Sequence, residues 1–146
     1  MKTGSGTKIP EKFVVDASVA VKWFCQEAGS DIADYLLETS QKGDTEICAP
    51  SILGYEVGNA LWKGKKLDKI ALTRALNVLF SSSIEFVELE ELLVETTVRF
   101  MITHDLTFYD ASYGALAYLF HVPLITANPK DHQKVKEIQI INVAQM

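Results

Sequence analysis

Five short runs of apolar, β-prone residues alternate with longer stretches of helical periodicity, and this alternation restricts the fold more than any other feature of the chain. The runs are KFVVDA (12–17), TEICAP (45–50), IEFVEL (84–89), VPLITA (122–127) and IQIINV (138–143). A short helix is expected from Ser18 to about Phe24. A second starts with Ser30 as candidate N-cap and stops at Gly43. From Ser51, the residues Leu53, Val57, Ala60 and Leu61 recur at helical spacing until Gly64. Asp68 is placed to cap a helix reaching about Phe80, and two more helices are expected over Glu90–His104 and Thr107–Phe120. Strand-like runs that are apolar on both faces, separated by helices, predict a parallel sheet covered on both sides, an α/β architecture with right-handed crossovers. The last run is expected at a sheet edge.

The 146 residues suit one domain with a single core, placed at 12–146, with residues 1–11 expected as a flexible tail. Apolar residues make up 48% and charged residues 23%, within the globular range. No apolar run approaches the roughly 20 residues that cross a bilayer, and the N-terminus lacks a secretory pattern, so a cytoplasmic protein with no membrane partner is expected. Cys25 and Cys48 are too few for a disulfide framework and are expected as reduced thiols. Without HExxH or CxxC, zinc is disfavoured. A net charge of −5 argues against non-specific nucleic-acid binding through the whole surface, while leaving room for a local basic strip.

Asp16 stands where the first strand ends. In open parallel sheets, ligands bind beyond the carboxyl ends of the strands. Thr126 and Asn128 lie at the end of the fourth strand, so the two ends form one pocket if these strands are neighbours. Each acid also has a plainer role. Asp16 or Ser18 would cap the next helix. Glu56, about 40° from Ala60 and about 60° from Leu53 around its helix, borders the core-facing stripe and would suit a salt bridge. Asp110 forms a capping box with Thr107. Taken together, three carboxylates from separate segments aimed at one strand-end pocket would repel one another and raise each other's pKa. A divalent cation removes that penalty, and oxygen ligands without His or Cys suit Mg²⁺ or Mn²⁺. The chemistry that fits is metal-assisted attack of water on a phosphodiester.

The segments VVDASVAVKWF, APSILGYEVGNALWKGKKL and FYDASYGALAYLFHVPLITAN, in this order, resemble those of PIN-domain ribonucleases, above all the VapC-type toxins of VapBC toxin–antitoxin pairs. The resemblance runs from about Phe13 to about Val135. It implies a PIN-like three-layer α/β/α sandwich with a central parallel sheet of four to five strands. It also implies a Mg²⁺- or Mn²⁺-dependent endoribonuclease site, a homodimer and a cognate VapB-type antitoxin. By resemblance, Asp16, Glu56 and Asp110 carry over as the catalytic, metal-binding acids. Ser18 and Thr126 would line the pocket as hydroxyls, and Asn59 would support Glu56 or the metal water. The family often has a fourth acid after the fourth strand. This chain reads TANPKD there, so Asn128 or Asp131 would complete the metal shell.

Lys63, Lys65 and Lys66 form the densest basic stretch, and Lys22 lies one helix turn past Ser18. All four are candidate RNA-phosphate contacts, although 63–66 also suits a solvated helix end. Trp23, Phe24, Tyr55 and Trp62 are candidates for base stacking or, more simply, for core or interface. A different reading also fits: a weak or inactive PIN fold acting as an RNA- or protein-binding module.

Overall fold

The computed structural model describes residues 8–146. Its strands are β1 (Lys12–Val15), β2 (Glu46–Pro50), β3 (Glu85–Val87), β4 (Leu124–Thr126) and β5 (Ile140–Asn142). They form one sheet in the order β3-β2-β1-β4-β5, and every neighbouring pair is parallel. β1 is therefore the central strand. Phe13, Val14 and Val15 are all fully buried, on both faces, which is why this strand reads as an uninterrupted apolar run. β4 lies directly beside β1, with Val14 opposite Leu124 and Val15 opposite Ile125. β5 is an edge strand, as expected.

The helices are α1 (Ala17–Ala20), α2 (Ser30–Gln41), α3 (Ile52–Asn59), α4 (Lys69–Phe80), α5 (Glu91–His104) and α6 (Phe108–Phe120). A 3₁₀ turn, Val21–Trp23, extends α1. Five residues of π-helix, Ala60–Gly64, extend α3, and Lys65 N donates to Ala60 O across the wider turn. The caps explain the boundaries. Asp68 accepts from Ala71 N at 2.9 Å and starts α4. Thr107 accepts from Asp110 N at 3.1 Å and starts α6. The start of α2 differs from the expectation, because its N-cap is Gly29 and not Ser30. Ser30 Oγ instead donates to Cys25 O and accepts from Glu27 N, both at 2.9 Å, and so closes the turn before the helix. Gly29 has φ +86°, a left-handed conformation that glycine adopts freely.

Of the expected tail, residues 1–7 lie outside the described residues. Ile9 is buried, 3% exposed, and packs with the core. Both cysteines are free thiols. Burial pushes the Cys48 thiol up to about 12, which makes it a poor nucleophile. No helix among the described residues is long and apolar enough to cross a membrane.

Candidate active site

Asp16 follows directly on β1, and its backbone turns from strand into α1. The side chain acts as N-cap, with Oδ1 3.4 Å from Val19 N. The capping role and a functional role are therefore compatible. Ser18 Oγ donates to Oδ1 at 2.5 Å, and Thr126 Oγ1, at the end of neighbouring β4, donates to Oδ2 at 2.5 Å. Ala127 N donates to Ser18 Oγ at 2.8 Å and Asn128 N to Thr126 Oγ1 at 3.0 Å. The ends of β1 and β4 are thus laced together through one carboxylate and two hydroxyls. That arrangement follows from strand adjacency, since Asp16 and Thr126 are 110 residues apart.

Glu56 on α3 and Asp110 on α6 face the same place. A pocket of about 410 Å³ is lined by Asp16, Ser18, Glu56, Asp110, Asn128 and Asp131. Burial raises the Glu56 carboxyl above its ordinary value, and the nearby Asp110 and Asp16 raise it further. Tyr113, one turn along α6 from Asp110, opposes this by donating its hydroxyl to Glu56 Oε1 at 2.5 Å. Burial also raises Asp110, with Asp131 and Asp16 adding to it and His132 and Thr107 opposing. The acids are held in a place where their negative charges cost energy.

Among the described residues, no group of three His, Cys, Asp or Glu side chains stands close enough to cage a metal ion as placed. The donor chemistry still fits a hard cation. Mg²⁺ is commonly held by one or two carboxylates and keeps several waters, so a wide oxygen-lined pocket suits it better than a tight cage.

The remaining candidates divide. Asn59 is exposed and lines a different groove, between α3 and α4, so the expectation that it supports Glu56 is corrected. Three residues on from Glu56, it sits about 300° around the helix and turns toward α4. Lys22 does line the pocket, but its ammonium is already engaged, donating to Glu27 Oε1 at 3.1 Å and to Ala28 O at 2.7 Å. A Cβ at Gly29 would lie 3.4 Å from Lys22 Cε, close to ordinary contact, so the glycine is called for by its positive φ and not by crowding from the lysine. Lys65 is ion-paired to Glu27 Oε2. Lys63 and Lys66 are exposed and do not line the pocket.

Three residues here were not singled out as site residues from the sequence. Glu27 lines the pocket and clamps both lysines. Tyr113 is 1% exposed and meets Glu56. His132 is buried with Nε2 2.9 Å from Asp16 Oδ2. Only Tyr113 carries a sequence signal, its place one turn beyond Asp110 on the face of α6 that packs on the sheet.

A PIN domain model matches residues 13–138. The chain belongs to the PIN domain family. Two Pyrobaculum aerophilum proteins are similar to it. Exonuclease VapC9 is 36% identical over 85 residues, covering 56% of this chain and 62% of that protein, so the match spans less than two thirds of its length. Ribonuclease VapC3 is 29% identical over 120 residues, covering 79% of this chain and 88% of that protein. Among solved structures, a toxin–antitoxin complex from Klebsiella pneumoniae superposes with a TM-score of 0.62 at 20% identity, covering 89% of this chain and 96% of that one. At that identity the likeness concerns the fold alone. The PIN fold here places its acids at the carboxyl edge of a five-stranded parallel sheet.

Two predictions arise at this PIN-domain pocket. Tyr113→Phe removes the hydroxyl that favours ionised Glu56, so the Glu56 carboxyl rises further. The titration of the Glu56 carboxyl, followed by NMR, is expected to move to higher pH, and an unmoved titration contradicts the coupling. The Glu27 carboxyl is held below its ordinary value of 4.5, first by the bond from Lys65 and then by Lys22, against burial. Its folded pKa is depressed, so the clamp's stabilisation is present above the unfolded value and lost as pH falls through the folded one. Partial exposure limits the effect to about 1 kcal/mol or less. The Tm gap between wild type and Glu27→Gln is expected at neutral pH and should close in acid.

Proposed function

We propose that the chain is a divalent-metal-dependent endoribonuclease and the toxin of a type II toxin–antitoxin pair. The observation that carries this is the convergence of Asp16, Glu56 and Asp110, from three separate elements, on one pocket beyond the ends of β1 and β4. The names of its relatives, one a ribonuclease and one an exonuclease, support a nuclease. Asp16, Glu56 and Asp110 would hold Mg²⁺ or Mn²⁺, with Asn128 offering a neutral oxygen and Asp131 a charged one. A cation bound there supplies Lewis acidity for the scissile phosphate and offsets the carboxylate charge. Ser18 and Thr126 hydrogen-bond Asp16, and the hydroxyl that Tyr113 donates to Glu56 opposes the rise that burial imposes on that carboxyl. Lys22 and Lys65, once exchanged from Glu27 to an RNA phosphate, would steady the strand.

Asn128 in place of an acid favours a second reading, a PIN fold that binds RNA or protein without cutting it. Incubation of the protein with structured RNAs in Mn²⁺, with and without a chelator, separates the two. Cation-dependent fragments carrying 5′-phosphates support the nuclease, whereas retained but uncut RNA supports the binding module.

The partner proposals rest on the exposed apolar surface of α3 and α4. Tyr55, Trp62 and Phe80 are 73%, 56% and 58% exposed and line a shared groove of about 800 Å³. A VapB-type antitoxin segment or a second copy of the chain would bury it. Light scattering of the isolated chain should report a homodimer if the second copy is the occupant.

A further inference from the structure

Buried polar atoms nearly always have a partner, because an unmade hydrogen bond in the interior is costly. Among the described residues, the buried side-chain nitrogen or oxygen that lacks one is His132 Nδ1. His132 follows the short 3₁₀ turn Pro129–Asp131, and its ring is 1% exposed with its edge toward Tyr113, ring centroids 6.2 Å apart at 72°. The ring is kept there by its other nitrogen, 2.9 Å from Asp16 Oδ2. An ionised carboxylate only accepts, so Nε2 carries the hydrogen and donates.

This bond completes the coordination of Asp16. A carboxylate has about four lone-pair sites, and Asp16 meets four donors: Ser18 Oγ and Val19 N at Oδ1, Thr126 Oγ1 and His132 Nε2 at Oδ2. The two oxygens are held differently. The donors at Oδ2 are fully buried residues, and neither lines the pocket. At Oδ1 the close donor is the pocket-lining Ser18, whose hydroxyl has another partner within reach, Thr126 Oγ1 at 3.3 Å. The Val19 contact is long, 3.4 Å.

We infer that His132 is a positioning residue that anchors Oδ2 of Asp16 from behind, so that Oδ1 is the oxygen presented to a hard divalent cation when Ser18 turns away. The inference rests on the cation-binding part of the proposed function. Partners of ligating side chains fix their orientation, and losing one typically weakens metal binding about 10- to 100-fold.

The test is a calorimetric Mn²⁺ titration, without RNA, of wild type, His132→Phe and His132→Gln. Phenylalanine fills the space without a donor, whereas glutamine can place an amide N–H near the position of Nε2. Circular dichroism checks that each melts cooperatively; if the phenylalanine variant does not fold, His132→Asn, too short to reach Oδ2, replaces it. The expected result is Mn²⁺ affinity about 10- to 100-fold weaker in His132→Phe and largely restored in His132→Gln. RNA cleavage by His132→Phe should fall at low Mn²⁺ and recover at saturating Mn²⁺, with KM for RNA unchanged. Equal Mn²⁺ affinity in wild type and His132→Phe, or equal losses in both variants, overturns the positioning role alone. A wild type that binds no Mn²⁺ sinks the cation site and this inference together.

Discussion

Replacing Asp16 by Asn is expected to reduce RNA cleavage by roughly a thousandfold or more while leaving the fold intact. The substitution is nearly isosteric: an amide oxygen can still accept from Val19 N and Ser18, so α1 keeps its cap, while Thr126 Oγ1 and His132 Nε2 change from donating to Oδ2 to accepting from the amide nitrogen, the histidine by carrying its hydrogen on Nδ1. What it removes is the charge at the centre of the lacing between β1 and β4. A cation in the pocket would lose the carboxylate with the most supporting donors. Lewis-acid stabilisation of a phosphoryl transition state amounts to several kcal/mol, and each 1.36 kcal/mol is tenfold in rate. Glu56→Gln and Asp110→Asn should show losses of the same order. Both carboxyls are raised by burial, so neutralising either relieves repulsion in the cation-free protein. These two variants are therefore expected to melt no lower than wild type while cutting far less. Cleavage of the same RNA by wild type and Asp16→Asn at equal rates would refute the assignment.

Phe100→Ala is expected to cost about 3–5 kcal/mol of stability, the range for emptying a buried aromatic site. Phe100 is fully buried in α5 and meets Tyr118 of α6 edge-on, with ring centroids 5.5 Å apart. Arg99 lies over both rings, its guanidinium carbon 5.3 Å and 5.2 Å from their centroids. The helix α6 carries Asp110 and Tyr113, so loosening the α5–α6 contact also loosens the pocket wall. Urea unfolding should show a lowered midpoint with an unchanged slope. A loss under about 1 kcal/mol would mean that the neighbours collapse into the space.

Much of the fold is legible in the sequence, for a specific reason. Strands buried on both faces must be apolar throughout, and the helices that cover them must be apolar along one stripe, so both leave patterns in the linear order of residues. KFVVDA, TEICAP and VPLITA are strands because of that constraint, and Asp68 and Thr107 are helix caps because their side chains act three residues away. The exception at Ser30 is of the same local kind: its hydroxyl had two possible uses, and the turn made by Gly29 selected the other one. Asp16, Glu56 and Asp110 each had a plainer local role, and they stood out only when taken together and beside the resemblance to PIN-domain ribonucleases.

The chain's own pattern therefore determined the element order and the parallel α/β class, while the three acids stood out only jointly and through the resemblance of their motifs. Only the tertiary structure decided that β4 lies beside β1, that Asn59 turns away toward α4, that Glu27 holds Lys22 and Lys65, and that His132 is buried against Asp16. Periodicity records which side of an element is apolar, but it carries no information about what stands opposite. The bond between His132 and Asp16 joins residues 116 positions apart, and no local rule places a loop histidine behind the carboxylate of a central strand.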